Sequence, residues 1–284
     1  MAAVNQNARV IDDDPAPAPA TPGARAAASA LERYPDGVIE EVSPRDHMFR
    51  VKKRYLRSGQ KALDCIRLGM VAAGKTAVAS ALDLPSGHGR VLRWIKAEFP
   101  DARLGACDID HDGVDFCAAT FGATPVYGHE DPADIEIDAP YELIWCGSLF
   151  THLPPERWDG FLAMFERALT PEGLLVFTTH GRRIAERIRD PETGREYLKE
   201  PAQREQVLSA YEQEGMGYCD YTFSDEYREA LSLPRNYGIS LVRPSVVCEM
   251  VERRPQLRLV GFTEGRFNGQ DLASVVRSGE SNAR

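Results

Sequence analysis

The densest chemistry in the chain lies between Ser80 and Lys96, which reads SALDLPSGHGRVLRWIK. A short apolar run of Ala81, Leu82 and Leu84 carries one acid, Asp83. It then meets Pro85, Ser86, Gly87, His88 and Gly89 before a helical pattern of Val91, Leu92, Trp94 and Ile95 begins. That order predicts a strand, a tight turn and a helix. Glycines in the turn let the backbone approach a ligand closely at positive φ, and the helix start offers unpaired N–H groups at the same spot. Turns of this type cradle either phosphates or the sulfonium cofactor S-adenosylmethionine. The phosphate fingerprint G-x-G-x-x-G is incomplete, since Leu92 stands where the third glycine belongs. Asp83 would repel a pyrophosphate and attract a molecule bearing an ammonium group and a positive sulfur. The sign of the charge selects the sulfonium.

Two histidines complete the reactive set. His152 and His180 follow the apolar runs YELIWC, ending at Cys146, and LLVFTT, ending at Thr179. Methyl transfer to a hydroxyl is an in-line displacement at contact distance, and the oxygen must shed a proton. Imidazole, with an ordinary pKa of ~6.5, is the usual proton acceptor near neutrality. His180 ends its strand directly and is the first candidate for that base, with His152 the second. His88, inside the turn, is assigned to local backbone support.

These groups need a scaffold that brings strand ends together. Arg103 to Asp108, Thr124 to Tyr127, Tyr141 to Cys146 and LLVFTT read as strands, with helices at Val114 to Phe121 and about Pro155 to Leu169. Such alternation predicts a parallel sheet with ligands at the carboxyl ends of its strands, where Asp108, Cys146, Gly147, Ser148, His152 and His180 fall. Between His47 and Ala73, apolar spacings of three and four predict two helices broken at Gly59, with Arg50 and Tyr55 as candidates for acceptor contacts. Beyond Gly181 the pattern changes. Arg182, Arg183, Arg187 and Arg189 read as a solvated helical face that could meet an acidic acceptor. Tyr211, Tyr218, Tyr221, Phe223, Tyr227 and Tyr237 read either as a small subcore or as an acceptor-pocket wall. Tyr218 to Phe223 and Tyr237 to Val242 alternate as extra strands, and Pro244 to Arg253 as a helix. Leu257 to Phe262 and Asp271 to Arg277 close the sheet as its sixth and seventh strands.

The string LDLPSGHGRV resembles the first motif of the class I S-adenosylmethionine-dependent methyltransferases. GSLFTHL and LVFTTHG resemble the fourth and fifth strand endings of a subgroup that methylates small molecules, often sugar-derived ones. The resemblance covers residues 45 to 180 and thins beyond. It implies an α/β fold, a Rossmann-like, doubly wound sheet of seven strands with an insertion between strands five and six at about 181–243. It places S-adenosylmethionine against Asp83, Pro85, Ser86, Gly87 and Gly89, with Asp108 on the ribose hydroxyls and Ile109 against the adenine. Glu130 or Asp131 would meet the adenine amino group, and Cys146, Gly147 and Ser148 would complete the site. Helices in residues 36–78 would cover it, and the methyltransferase domain would span 79–277. The fourth strand runs into CGSL rather than the Asn/Asp-Pro-Pro-aromatic signature of base-methylating relatives.

Composition narrows the partners. With 34 basic against 43 acidic residues and a net charge of −9, the chain is ill suited to a phosphate backbone, and a small acceptor is expected. Six cysteines without a C-x-x-C pair read as reduced thiols of a cytoplasmic protein. No run is long enough to span a membrane, and no basic-then-apolar leader opens the chain. Residues 1–35 read as a disordered Ala/Pro-rich tail and 278–284 as a frayed end. Two spellings mislead. GMVAAGKT, with Gly69, Gly74, Lys75 and Thr76, matches a P-loop and would make the chain a nucleotide-binding phosphohydrolase. The preceding KALDCIRL is helical in pattern, however, and Pro85 arrives nine residues after Thr76. Asp108, Asp110, Asp112 and Gly113 open an EF-hand spelling whose twelfth position is Ala119 rather than Glu, so no metal is expected. A non-catalytic S-adenosylmethionine-binding protein is the remaining alternative.

Overall fold

The computed structural model describes residues 34–223, 228 and 236–279. The tails expected at either end fall almost wholly outside these residues, as does Tyr227. The apolar runs form a seven-stranded sheet in the order β3-β2-β1-β4-β5-β9-β8. Strands β1 (Ser80–Asp83), β2 (Arg103–Asp108), β3 (Thr124–Tyr127), β4 (Tyr141–Cys146) and β5 (Leu169–Thr179) are parallel. The order reverses between β1 and β4, which opens a crevice at their carboxyl ends. β8 (Leu257–Phe267) and β9 (Gln270–Arg277) form a hairpin, and β9 inserts antiparallel between β5 and β8. Its turn, Asn268-Gly269, holds φ at 51° and 82°, the doubly positive pair that matches the twist of a tight hairpin. The expected seven-stranded, doubly wound sheet is therefore present.

Helices cover both faces. α1 (Lys52–Ala72), α2 (Leu92–Glu98) and α3 (His111–Phe121) bury Ile66, Leu92, Ile95, Cys117 and Phe121 against Leu104 and Leu143. On the other face, α4 (Pro155–Ala168) and α8 (Pro244–Glu252) bury Trp158, Phe165, Val247 and Val251 against Ile144 and Leu175. No helix among the described residues is long and apolar enough to cross a membrane.

The expected break at Gly59 does not occur, for α1 is one helix of 21 residues. A Cβ at Gly59 would sit 2.4 Å from the Trp94 ring, and one at Gly69 would sit 2.6 Å from Val176. Close packing of α1 on α2 and on the sheet outweighs the roughly 1 kcal/mol that a mid-helix glycine costs. The same geometry disposes of the P-loop spelling. Gly69 lies inside the helix, the Lys75 N–H donates back to Met70 O at 2.8 Å, and the chain then enters a strand. A phosphate-binding loop needs the reverse order, strand before and helix after.

Between β5 and β8 lies the insertion: α5 (Arg182–Arg189), α6 (Gly194–Tyr197), α7 (Pro201–Glu214) and an antiparallel pair, β6 (Met216–Asp220) with β7 (Gly238–Val242). It has its own core, built on Ile184, Ile188, Val207, Tyr211, Ile239 and Leu241. β7 also pairs with the loops that follow β4 and β5. The N–H groups of Gly238, Ser240 and Val242 donate to the carbonyls of His152, Thr151 and His180 at 3.1, 2.9 and 2.8 Å. Both histidines are thus fixed where the insertion meets the rim of the sheet.

Candidate active site

The cradle is stitched to the neighbouring strand. The Ser86 N–H donates to Cys107 O at 2.9 Å, and the Gly87 N–H to Asp108 Oδ2 at 2.7 Å. The other Asp108 oxygen accepts the Asp110 N–H at 3.0 Å. Gly87 has φ 47°, and a Cβ there would meet nothing within 4 Å, so the turn presents bare backbone to open space. Gly89 serves packing instead, because its Cβ would lie 2.3 Å from the Phe121 ring. Arg93, on α2, is fully buried and locks the turn from behind. Its Nε donates to Gly89 O at 2.9 Å, and its Nη1 donates to Ile39 O and Glu41 O at 2.8 Å each. The guanidinium lies 5.1 and 5.2 Å from the Tyr55 and Phe121 ring centres. His88 reaches Asp112 at 3.0 Å, and Asp112 also pairs with Arg45. Those partners, His88 first, hold the Asp112 carboxyl below its usual range.

In front of the cradle opens a cavity of about 350 Å³. Among the sequence-derived site residues, Pro85, Ser86, Gly87, Asp108, Gly147, Ser148, His152 and His180 line it, whereas Asp83, Gly89, Ile109, Glu130, Asp131 and Cys146 do not. Asp83 lies beneath the cradle, 1% exposed, with the Leu92 N–H facing its carboxyl. Burial, followed by the charge of Asp108, pushes its pKa well above the carboxylate range. Its charge is therefore not what meets a ligand. Asp46, Asp108, Asp110 and Glu196 line the cavity against a single guanidinium, Arg90, among the described residues, so the hollow is anionic for a different reason. Burial raises the Asp108 pKa, and the N–H groups of Asp110 and Gly87 oppose that rise. Cys146 is fully buried behind the strand, and Asp131 caps the short turn Pro132–Asp134 through the Ala133 N–H at 2.9 Å. Glu130 is exposed. Tyr55 and Arg50 stand off the cavity, which the N-terminal segment reaches instead through Asp46, His47 and Met48.

Arg90, Glu196, Asn268 and Gln270 also line the cavity and lie outside the sequence-derived set. The last two come from the β8–β9 turn, and the Asn-Gly dipeptide was the signal available. Gln270 and Thr178 bond at 2.6 Å, and the Thr178 hydroxyl accepts the Ser148 N–H at 2.8 Å, which holds Ser148 at φ 60° on the cavity wall.

On the far side, His152 Nδ1 lies 2.8 Å from Gly238 O. A carbonyl only accepts, so Nδ1 carries the proton and the neutral ring keeps its lone pair on Nε2. Burial lowers the His152 pKa to about 4. Burial, and then the charge of His152, lowers that of His180 to about 3. Both rings are neutral at pH 7, with centres 6.1 Å apart. The Ser240 carbonyl, beside the His180 ring, opposes the fall in that ring's pKa. The arginines of α5 do not reach the cavity wall: Arg182 pairs with Glu264 and Arg189 with Glu212 on the surface. Among the described lining residues, Arg90 is the guanidinium that an acidic acceptor could meet.

The shifts have a consequence for stability. The unfolded chain protonates these histidines near pH 6.5, the folded chain only near 4 and 3, so their contribution to stability falls as pH drops from about 6.5 toward 4. At full shift this corresponds to roughly 3 kcal/mol for His152 and roughly 5 kcal/mol for His180. Asp271, raised to about 6 by burial, acts in the opposite sense, and its share grows as pH falls from about 6 toward 4. Comparison with His180→Gln isolates the imidazole share. Urea denaturation is expected to show the wild type losing more stability than this variant between pH 7 and pH 4.5.

A seven-stranded sheet with this strand order, a glycine cradle after β1 and an acid at the end of β2 defines the class I methyltransferase fold. Residues 82–175, which run from β1 into β5, match the family model described as a methyltransferase domain. No curated protein matches the chain. Among solved structures, an S-adenosylmethionine-dependent methyltransferase from Clostridium acetobutylicum superposes with a TM-score of 0.50 at 14% identity, over 78% of this chain and 92% of that one. CalS10, an amino pentose methyltransferase from Micromonospora echinaspora, does so with a TM-score of 0.50 at 13% identity, over 84% of this chain and 100% of that one. At such identities the likeness is one of fold. The methyltransferase-domain match covers a third of the chain, and the fold around it is that of the class I methyltransferases.

Proposed function

We propose that this protein transfers a methyl group from S-adenosylmethionine to an oxygen of an uncharged small molecule, nitrogen being the second choice of acceptor atom. The observation that carries the reading is the union, in one cavity, of an anionic cradle with two neutral imidazoles. The cradle fits the cofactor on three counts. Gly87 leaves room where any other residue would place a side chain, Asp108 sits at the strand end with its carboxylate on the wall, and four carboxyl groups face a single guanidinium among the described lining residues. Bound there, S-adenosylmethionine would supply an electrophilic methyl carbon on a positive sulfur. The chain's own part is to hold the ribose hydroxyls on Asp108, to bring the acceptor oxygen into line, and to take its proton on His152 or His180. The anionic lining also disfavours nucleotide phosphates, in keeping with the failure of the P-loop geometry. A sugar-derived acceptor is the expectation from sequence resemblance.

Replacing Asp108 with alanine is expected to weaken S-adenosylmethionine binding by roughly 1.5 to 3 kcal/mol, the scale of hydrogen bonds to a charged group. Calorimetry would read this as a rise in Kd of about ten- to a hundredfold, and an unchanged Kd would remove Asp108 from the site. Transfer of labelled methyl to an acceptor panel tests the activity itself. Cofactor binding without transfer to any acceptor would favour a non-catalytic binding protein.

A further inference from the structure

The half of the cavity away from the cradle is walled by rings. His152, His180, Tyr197, Tyr221, Phe223 and Tyr237 all line it. They form a continuous set: Tyr237 stacks on His152 at 4.7 Å, and Tyr221 lies 5.9 Å from both of these rings. Phe223 is 5.1 Å from Tyr221, and Tyr197 meets His180 edge-on at 6.3 Å. The insertion supplies four of the six, which explains why β7 is pinned to the loops after β4 and β5.

Charge and polarity narrow the guest. Glu196 is the ionic side chain of this half among the described lining residues, with Arg90 on the cradle side. A phosphate or carboxylate would be desolvated here without a counter-charge. A polyhydroxyl guest needs donors and acceptors in proportion to its hydroxyls, and each one left unmet costs affinity. The box offers ring faces chiefly, with two imidazoles and a few tyrosine hydroxyls. Flat faces at offset and edge-on angles complement a flat, weakly polar guest. We infer that this ring box is the acceptor subsite and that it takes an uncharged, planar aromatic molecule bearing a hydroxyl, with His152 Nε2 as the proton's destination. The inference rests on the methyl-transfer reading above and narrows it away from sugars.

The reaction balances as follows. The aryl O–H bond breaks and its proton passes to His152 Nε2, while the oxygen forms a bond to the methyl carbon. The carbon–sulfur bond breaks with its electron pair remaining on sulfur. The products are an aryl methyl ether, a neutral thioether and an imidazolium that returns its proton to water.

The test uses the full chain with three probes: naphthol, methyl glucoside and phenyl phosphate. Calorimetry reads the binding of each probe and of S-adenosylmethionine, and labelled methyl reads transfer. Naphthol is expected to bind and be methylated in preference to the other two. Tyr237→Leu is expected to weaken naphthol binding at least tenfold, whereas Tyr237→Phe, which keeps the ring, retains it, and both keep wild-type affinity for S-adenosylmethionine. Should Tyr237→Leu fail to fold, Phe223→Leu provides the same comparison. Preference for methyl glucoside or phenyl phosphate, or equal naphthol affinity in the leucine variant, overturns the aromatic assignment while S-adenosylmethionine binding leaves the methyl-transfer reading standing. Loss of S-adenosylmethionine binding in the wild type would overturn both.

Discussion

His152→Asn is expected to lower kcat by about 10²- to 10⁴-fold, the span general-base catalysis contributes, with the affinity for S-adenosylmethionine close to wild type. The reason lies in the hydrogen bond at the back of the ring. With Nδ1 committed to Gly238 O at 2.8 Å, the lone pair is confined to Nε2, and burial, which lowers the pKa to about 4, keeps the ring neutral near pH 7. An asparagine amide can still donate to the Gly238 carbonyl, so the local fold is preserved while the basic nitrogen is lost. A fall in kcat with little change in KM would mark an interaction made in the transition state. The acid limb of the wild-type rate profile should accordingly show no break near pH 6.5. If His152→Asn turns over normally while His180→Asn does not, the base is His180, which also lines the cavity.

The second large effect concerns folding. Arg93→Met is expected to destabilise the protein by about 3 to 5 kcal/mol, because a fully buried guanidinium and its charge-assisted bonds to Gly89 O, Ile39 O and Glu41 O are lost together. Against a usual total of about 5–15 kcal/mol this is a large share, and it corresponds to a fall in Tm of roughly 10 °C. Arg93 also ties the segment before α1 to the cradle, so the variant should bind S-adenosylmethionine more weakly even below its melting temperature. Differential scanning calorimetry checks the first effect, and a Tm within two degrees of wild type would show that water replaces the guanidinium at little cost. Nothing in the sequence marked this residue. An arginine after a glycine turn reads as a solvated helix charge, and only the return of residues 39–41 behind α2 makes it a buried clasp.

What was legible in the chain followed from local patterning. The runs RLGACD, TPVY and YELIWC announced β2, β3 and β4 because each alternates or stays apolar between turn residues. The glycine turn and the acid at Asp108 marked the cradle because their roles are set within a few residues of sequence. Tertiary features were not legible in this way. The acid at the end of β1 was read as the attracting charge, yet the sheet buries Asp83 beneath the turn and leaves the anionic lining to Asp46, Asp108, Asp110 and Glu196. Gly59 read as a helix break, although its function is to admit Trp94. The tyrosines of the insertion were open between core and pocket, and the structure divides them: Tyr211 packs in the small core, while Tyr221 and Tyr237 face the cavity. That division depends on β7 docking across the ends of β4 and β5, a long-range pairing with no local signature.

A cationic methyl donor seated in the anionic cradle is the centre of the proposed reaction. Titration calorimetry of the full chain with S-adenosylmethionine, with ATP as the competing ligand, tests this most directly. Saturable binding of S-adenosylmethionine that weakens in Asp108→Ala, with no heat from ATP, is the predicted result. No binding of S-adenosylmethionine, or ATP binding that disappears in Lys75→Ala, would contradict it.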